Sequence, residues 1–157
     1  MASKPIVIET RYAAPPEWVA AWLQDFREDD LTRFFGDERG ARVQRVGDRA
    51  VIQGVVPGLG DFRTEVRLGG RRWTAQGLIS RKGKPVMATS IVGTADALPD
   101  GGTVHRVELR GEPQAFPMTV VMPLFGRAMM LRRLKPAFAR MAEAADAQWR
   151  AGQPPAA

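Results

Sequence analysis

The chain has 157 residues, of which 45% are hydrophobic and 25% charged, enough for one well-buried domain and unlike either a disordered or a membrane-spanning composition. It has no cysteine and one histidine, which excludes disulfides, thiolate metal sites and cysteine nucleophiles. A net charge of +6 and a pI near 10.7 permit attraction to nucleic acid, anionic lipid or an acidic partner, but attraction alone does not recognise anything.

Residues Met1 to Pro5 lack the apolar run of a signal peptide, so a cytoplasmic location is expected. Ile6, Ile8, Thr10 and Tyr12 then alternate with Val7, Glu9 and Arg11, the period of a strand whose first set points inward. Pro15, Pro16 and Glu17 stop this strand and open a helix carrying Trp18, Val19, Trp22, Leu23 and Phe26 on one stripe. A second short helix, capped by Asp29 or Asp30, is predicted around Leu31, Phe34 and Phe35 and ends at Gly36.

From Ala41 to about Glu112 the period changes to two, and turn compositions separate six strand candidates, giving an antiparallel meander of seven strands with the first. Phe62, Thr64, Val66 and Leu68 form one inward set, Trp73, Ala75, Gly77 and Ile79 another, and His105, Val107 and Leu109 a third. Val86 to Thr94 is apolar on both faces, so its pattern does not assign a register. A long amphipathic helix follows from about Met122 to Trp149. Its stripe, Leu124, Phe125, Ala128, Met129, Leu131, Leu134, Phe138, Met141, Ala142, Ala145 and Trp149, is expected to be buried against the sheet, with a kink at Pro136. Residues 1–151 read as one domain and 152–157 as a flexible tail. The apolar stretch Thr119 to Leu131 is too short to cross a bilayer, so no integral membrane segment is predicted.

The run from Glu9 to Phe26, with its alanine-proline turn, tryptophan-bearing helix and Asp25-Phe26, resembles the START-like (SRPBCC, Bet v 1-like) superfamily, most of all its polyketide cyclase and dehydrase branch. Pro123 to Arg127 leading into Leu131 to Leu134 is similar to the glycine-containing loop and basic helix start of those proteins. The resemblance implies an α+β helix-grip fold: a seven-stranded antiparallel sheet curled round a long C-terminal helix, with two short helices after the first strand. It also implies a cavity for lipids, polyketides or other apolar ligands. The superfamily spans carriers, enzymes and interaction proteins, so it leaves function open. An oxygenase with iron and Rieske ligands is excluded by one histidine and no cysteine.

The cavity-facing candidates are Tyr12, Thr64, Trp73, Gly77, Thr89, Val107, Met129, Phe138 and Met141, with Gly77 and Ala75 leaving space and the methionines supplying adaptable walls. His105, on the inner face beside Val107, is the candidate general base, with Tyr12, Thr64 or Thr89 supplying hydroxyls. Ser3, Ser80 and Ser90 lie in no nucleophile-elbow sequence, and Gly58 and Gly60 are followed by no phosphate-binding lysine. Carboxylates such as Asp29, Asp30, Asp37 and Glu38 lack ordered ligand spacing, so no metal and no cofactor is expected. The reading is binding or carriage of a small hydrophobic ligand. Its alternatives are a metal-free cyclase or dehydratase using His105, and an interaction module. On the terminal helix Arg127, Arg132, Arg133, Lys135, Arg140 and Arg150 outnumber Glu143 and Asp146, a basic surface suited to peripheral contact with an anionic membrane or RNA.

Overall fold

The computed structural model describes residues 4–25 and 39–155. The second short helix, with Asp29 or Asp30 as its cap, and the acidic residues Asp37 and Glu38 lie outside the described residues. Seven strands form one sheet: β1 (Ile6–Tyr12), β2 (Arg39–Val46), β3 (Arg49–Val56), β4 (Gly60–Arg67), β5 (Arg72–Arg81), β6 (Lys84–Ala97) and β7 (Thr103–Pro113). Their order is β1-β7-β6-β5-β4-β3-β2, so β2 to β7 form a meander and β1 closes one edge beside β7. Every pairing is antiparallel. The β5–β6 hairpin shows how local chemistry sets this path: Lys82 and Gly83 both have positive φ, the two-residue turn whose twist matches the flanking strands, and Arg81 pairs with Lys84 across it.

Alternation places the predicted inward sets on one concave face. The pairing also fixes β6, where sequence alone could not: Met87 lies opposite Ile79, Thr89 opposite Gly77, and Ile91 opposite Ala75. Met87, Thr89 and Ile91 therefore share the inner face. The charged alternates stay outside, where Arg106 bridges Glu9 and Glu108 across β1 and β7.

Helix α1 (Pro16–Leu23) starts at a proline with extended Pro15 before it, and buries Val19 and Ala20. The terminal rod is a continuous helical stretch of 33 residues. It consists of α2 (Met118–Val121), a π-helical turn (Met122–Gly126) and α3 (Arg127–Arg150). Its irregularity lies at this turn, while α3 runs through Pro136 without interruption. Pro123 has no N–H to give to the ladder, and the wider turn takes up that gap.

The expected stripe holds from Leu131 to Ala145 and fails at both ends. Leu124, Phe125, Ala128, Met129 and Trp149 are exposed, Leu124 and Phe125 because the wider turn offsets them from the face of α3, whereas Met130, Leu131, Leu134 and Met141 pack against the cluster of Ile6, Ile8, Val107, Leu109 and Phe138. The C-terminal half of α3 is tied to the start of the chain. Asp146 accepts the Ala13 N–H at 2.8 Å, and Trp22 Nε1 donates to Gln148 Oε1 at 2.9 Å. Trp149 meets Trp18 edge-on at 5.5 Å between ring centroids. No described helix is long and apolar enough to cross a membrane.

Candidate ligand cavity

Between the concave face and α3 lies a cavity of about 320 Å³. This is at the lower end of the size of small-molecule sites. Its walls are mostly apolar: Ile52, Phe62 and Val66 from β3 and β4, Met87 and Ile91 from β6, and Met130, Leu134, Phe138 and Met141 from α3. The curled sheet supplies the floor and the rod supplies the roof.

Of the residues predicted from sequence, Thr64, Trp73, Thr89, His105, Val107, Phe138 and Met141 line this space. Three do not. Met129 points to solvent, because in the regular α3 it lies nine residues, half a turn, from Phe138, whereas Met130 shares the face of Leu134 and Met141. Tyr12 is buried behind His105, in a cluster with Ala14, Val19, Ala142 and Ala145. Gly77 sits in a cross-strand row with Thr64 and Thr89, and a Cβ there would meet the Thr89 hydroxyl and lie 2.9 Å from that of Thr64. The notch above Gly77 is thus filled by two hydroxyls, which themselves face the cavity.

Sequence reading missed Met87 and Ile91, hidden by the doubly apolar pattern of β6. Leu134 was expected in the buried stripe and Met130 among the methionines of an adaptable wall, but neither was named as a lining residue. It also missed the role of Gly93, which lies opposite Trp73. A Cβ on Gly93 would run into the indole, so glycine is what lets this ring lie across β6.

The polar chemistry concentrates around His105. Its ring is fully enclosed, with Phe138, Tyr12 and Trp73 centroids 6.1, 6.2 and 6.2 Å away. Neither His105 nitrogen, nor the Trp73 Nε1, nor the Tyr12 hydroxyl has a hydrogen-bond partner among the described residues. Such buried, unmatched groups are rare, and each costs about 1–3 kcal/mol if left so. Burial also lowers the His105 pKa from 6.5 to about 4, because the charged ring would be stranded in an apolar box. The imidazole is therefore neutral at neutral pH and offers one donor and one acceptor. Burial, with the negative charge of Asp146 added, pushes the Tyr12 phenol well above its usual range, so it too stays neutral.

A larger depression of about 800 Å³ lies outside, between β1 and α3. It is open and lined by Glu9, Arg11, Lys135, Glu143, Asp146 and Arg150. Those charges are better served by water than by an apolar ligand. Among the described residues no group of three or more histidine or acidic side chains is placed to hold a metal ion.

No protein-family model matches the sequence, and no curated protein matches it at a significant level. Solved structures do. Zhui aromatase/cyclase from Streptomyces superposes with a TM-score of 0.75 over 95% of this chain and 97% of its own, at 14% identity. The fold is the α+β helix-grip fold of these structures. The protein TTHA0849 from Thermus thermophilus shares it at a TM-score of 0.69 and 15% identity, covering 92% of this chain and 98% of that one. Truncated norcoclaurine synthase from Thalictrum flavum shares it at 0.64 and 12%, covering 87% and 92%. At these identities the helix-grip likeness speaks for architecture, and function rests on the cavity itself.

Proposed function

We propose that residues 1–151 act as one START-like unit that binds, and holds or carries, a small, largely apolar molecule bearing at least one hydrogen-bonding group. The observation that carries this reading is the set of three unmatched polar atoms on His105 and Trp73 at one side of a mostly apolar cavity. A wholly apolar ligand would leave them unmatched, and a cation would meet Arg133, the one charged side chain among the described residues that line the space. A hydroxyl or carbonyl on a compact ring system meets both demands. At about 30 Å³ per water the space equals roughly ten waters, which suits a ligand of about that many non-hydrogen atoms.

The alternative, a cyclase or dehydratase with His105 as base, is also compatible with this fold. A base with a pKa near 4 is always deprotonated at neutral pH but draws protons weakly, because efficient general bases have pKa values near the working pH. Binding is therefore the reading the geometry favours. Titration with 1-naphthol and with naphthalene, by fluorescence or calorimetry, tests it. We expect the hydroxylated ring to bind about tenfold more tightly, the lower part of the range for one buried hydrogen bond. Replacement of His105 by Phe should remove most of that difference. Equal affinities in the native protein would refute the polar reading, and absence of binding by both would refute the cavity as the site. Native mass spectrometry of the freshly purified protein would identify a retained molecule directly.

A further inference from the structure

Five large apolar side chains face water along the first part of the rod: Phe116, 81% exposed, then Val120, Leu124, Phe125 and Met129. They are five of the nine exposed large hydrophobic residues among those described. Scattered apolar surface is ordinary, but a contiguous ridge of this kind marks a contact. We propose that this ridge docks the protein on an anionic lipid bilayer, with the arginines that follow it resting among the headgroups.

Two observations choose this occupant. The first is exposure. Phe116, Val120, Leu124, Phe125 and Met129 are each more than half exposed and line neither the inner cavity nor the depression beside β1. Apolar side chains held outside a pocket suit a soft interface, whereas small ligands need a concave site. The second is charge. Residues 113–142 hold no acidic side chain and five basic ones, Arg127, Arg132, Arg133, Lys135 and Arg140, of which Arg133 lines the inner cavity and Lys135 the depression beside β1. Arg127 and Arg132 are exposed next to Leu124, Phe125 and Met129. Two copies meeting through this ridge would bring like charges together across a symmetric contact, which opposes self-association. A surface of anionic headgroups over hydrocarbon complements both the arginines and the apolar side chains. The π turn contributes by offsetting Leu124 and Phe125 from the buried face of α3, so that they join Met129 on the outside while Met130 and Leu134 face the cavity.

The test is co-sedimentation with vesicles of phosphatidylcholine containing about 30% phosphatidylglycerol, and with pure phosphatidylcholine. The native protein should pellet with the anionic vesicles and much less with the neutral ones, and roughly 1 M salt should weaken the binding. Leu124→Asp combined with Phe125→Asp should reduce partitioning about tenfold or more. Arg127→Glu with Arg132→Glu should also reduce it. Both pairs are exposed, so 1-naphthol binding should be unchanged, which separates this proposal from the cavity reading. Should the first pair unfold the protein, Phe116→Ser carries the same expectation. Several results would overturn the proposal: no pelleting of the native protein, equal pelleting with neutral vesicles, or full binding by the aspartate pair. A dimer that the aspartate pair dissolves would also overturn it, because the ridge would then belong to a second copy.

Discussion

Replacing His105 by Phe gives a direct measure of what the enclosed imidazole costs. In the folded protein its pKa is lowered to about 4, while in the unfolded chain it stays near 6.5. The unfolded state therefore takes up a proton first as pH falls, and the stability contributed by the neutral ring, present above pH 6.5, is lost between about 6.5 and about 4. At about 1.4 kcal/mol per unit the full effect is roughly 3 kcal/mol, of which about 2 has been lost by about pH 5. Urea denaturation of native protein and variant at about pH 7.5 and about pH 5 isolates this contribution, since carboxylates common to both cancel in the difference. We expect the native protein to lose about 2 kcal/mol more than His105→Phe. The variant should be as stable as the native protein at neutral pH or more so, because an apolar ring of similar shape leaves no unmatched nitrogen. Equal pH dependence in the two proteins would refute the argument that His105 is desolvated and unpartnered.

Two further outcomes follow from the same geometry. Gly93→Ala should displace the Trp73 indole, lower stability by about 1–3 kcal/mol and weaken 1-naphthol binding, measured by denaturant titration and by fluorescence. In an Arg133→Gln variant, which removes the one charged side chain lining the cavity among the described residues, 1-naphthoate should bind more weakly than 1-naphthol at neutral pH, because protonating His105 to meet its charge carries the penalty described above; its affinity relative to 1-naphthol, followed by calorimetry, should improve as pH falls toward about 4.

Much of this fold was legible because its strands are half-buried. Where one face is wet, as in Phe62 to Leu68 or His105 to Leu109, a period of two states the register outright, and the structure follows it. The same logic fails in β6, where both faces are apolar, and only pairing with β5 brings Met87, Thr89 and Ile91 inward. The rod failed for a different reason. Apolar residues recur at helical spacing from Leu124 onward, and Leu131 to Ala145 face the sheet as expected, but one π turn offsets Leu124 and Phe125 from that face, and Pro123 was the local sign of it. His105 was placed on the correct face by alternation. Its lack of any partner was beyond reach, since that depends on which side chains from β1, β5 and α3 converge on it.

The unmatched groups also explain why the cavity is better read as a site than as imperfect packing. Four buried polar atoms at about 1–3 kcal/mol each would consume a large share of the 5–15 kcal/mol by which domains of this size are stable. Apolar residues of the same shape would remove that cost at positions such as 105 and 12 without disturbing the sheet, because Val107, Leu109, Ile6 and Ile8 already occupy the same face. Three of the four atoms, on His105 and Trp73, border the space of about 320 Å³, and the Tyr12 hydroxyl lies behind the same imidazole, so the cost is not spread through the core. A molecule that supplies the missing donors and acceptors recovers this free energy on binding, so the same residues that weaken the empty fold would set its affinity and its selectivity for a hydrogen-bonding ligand over an apolar one.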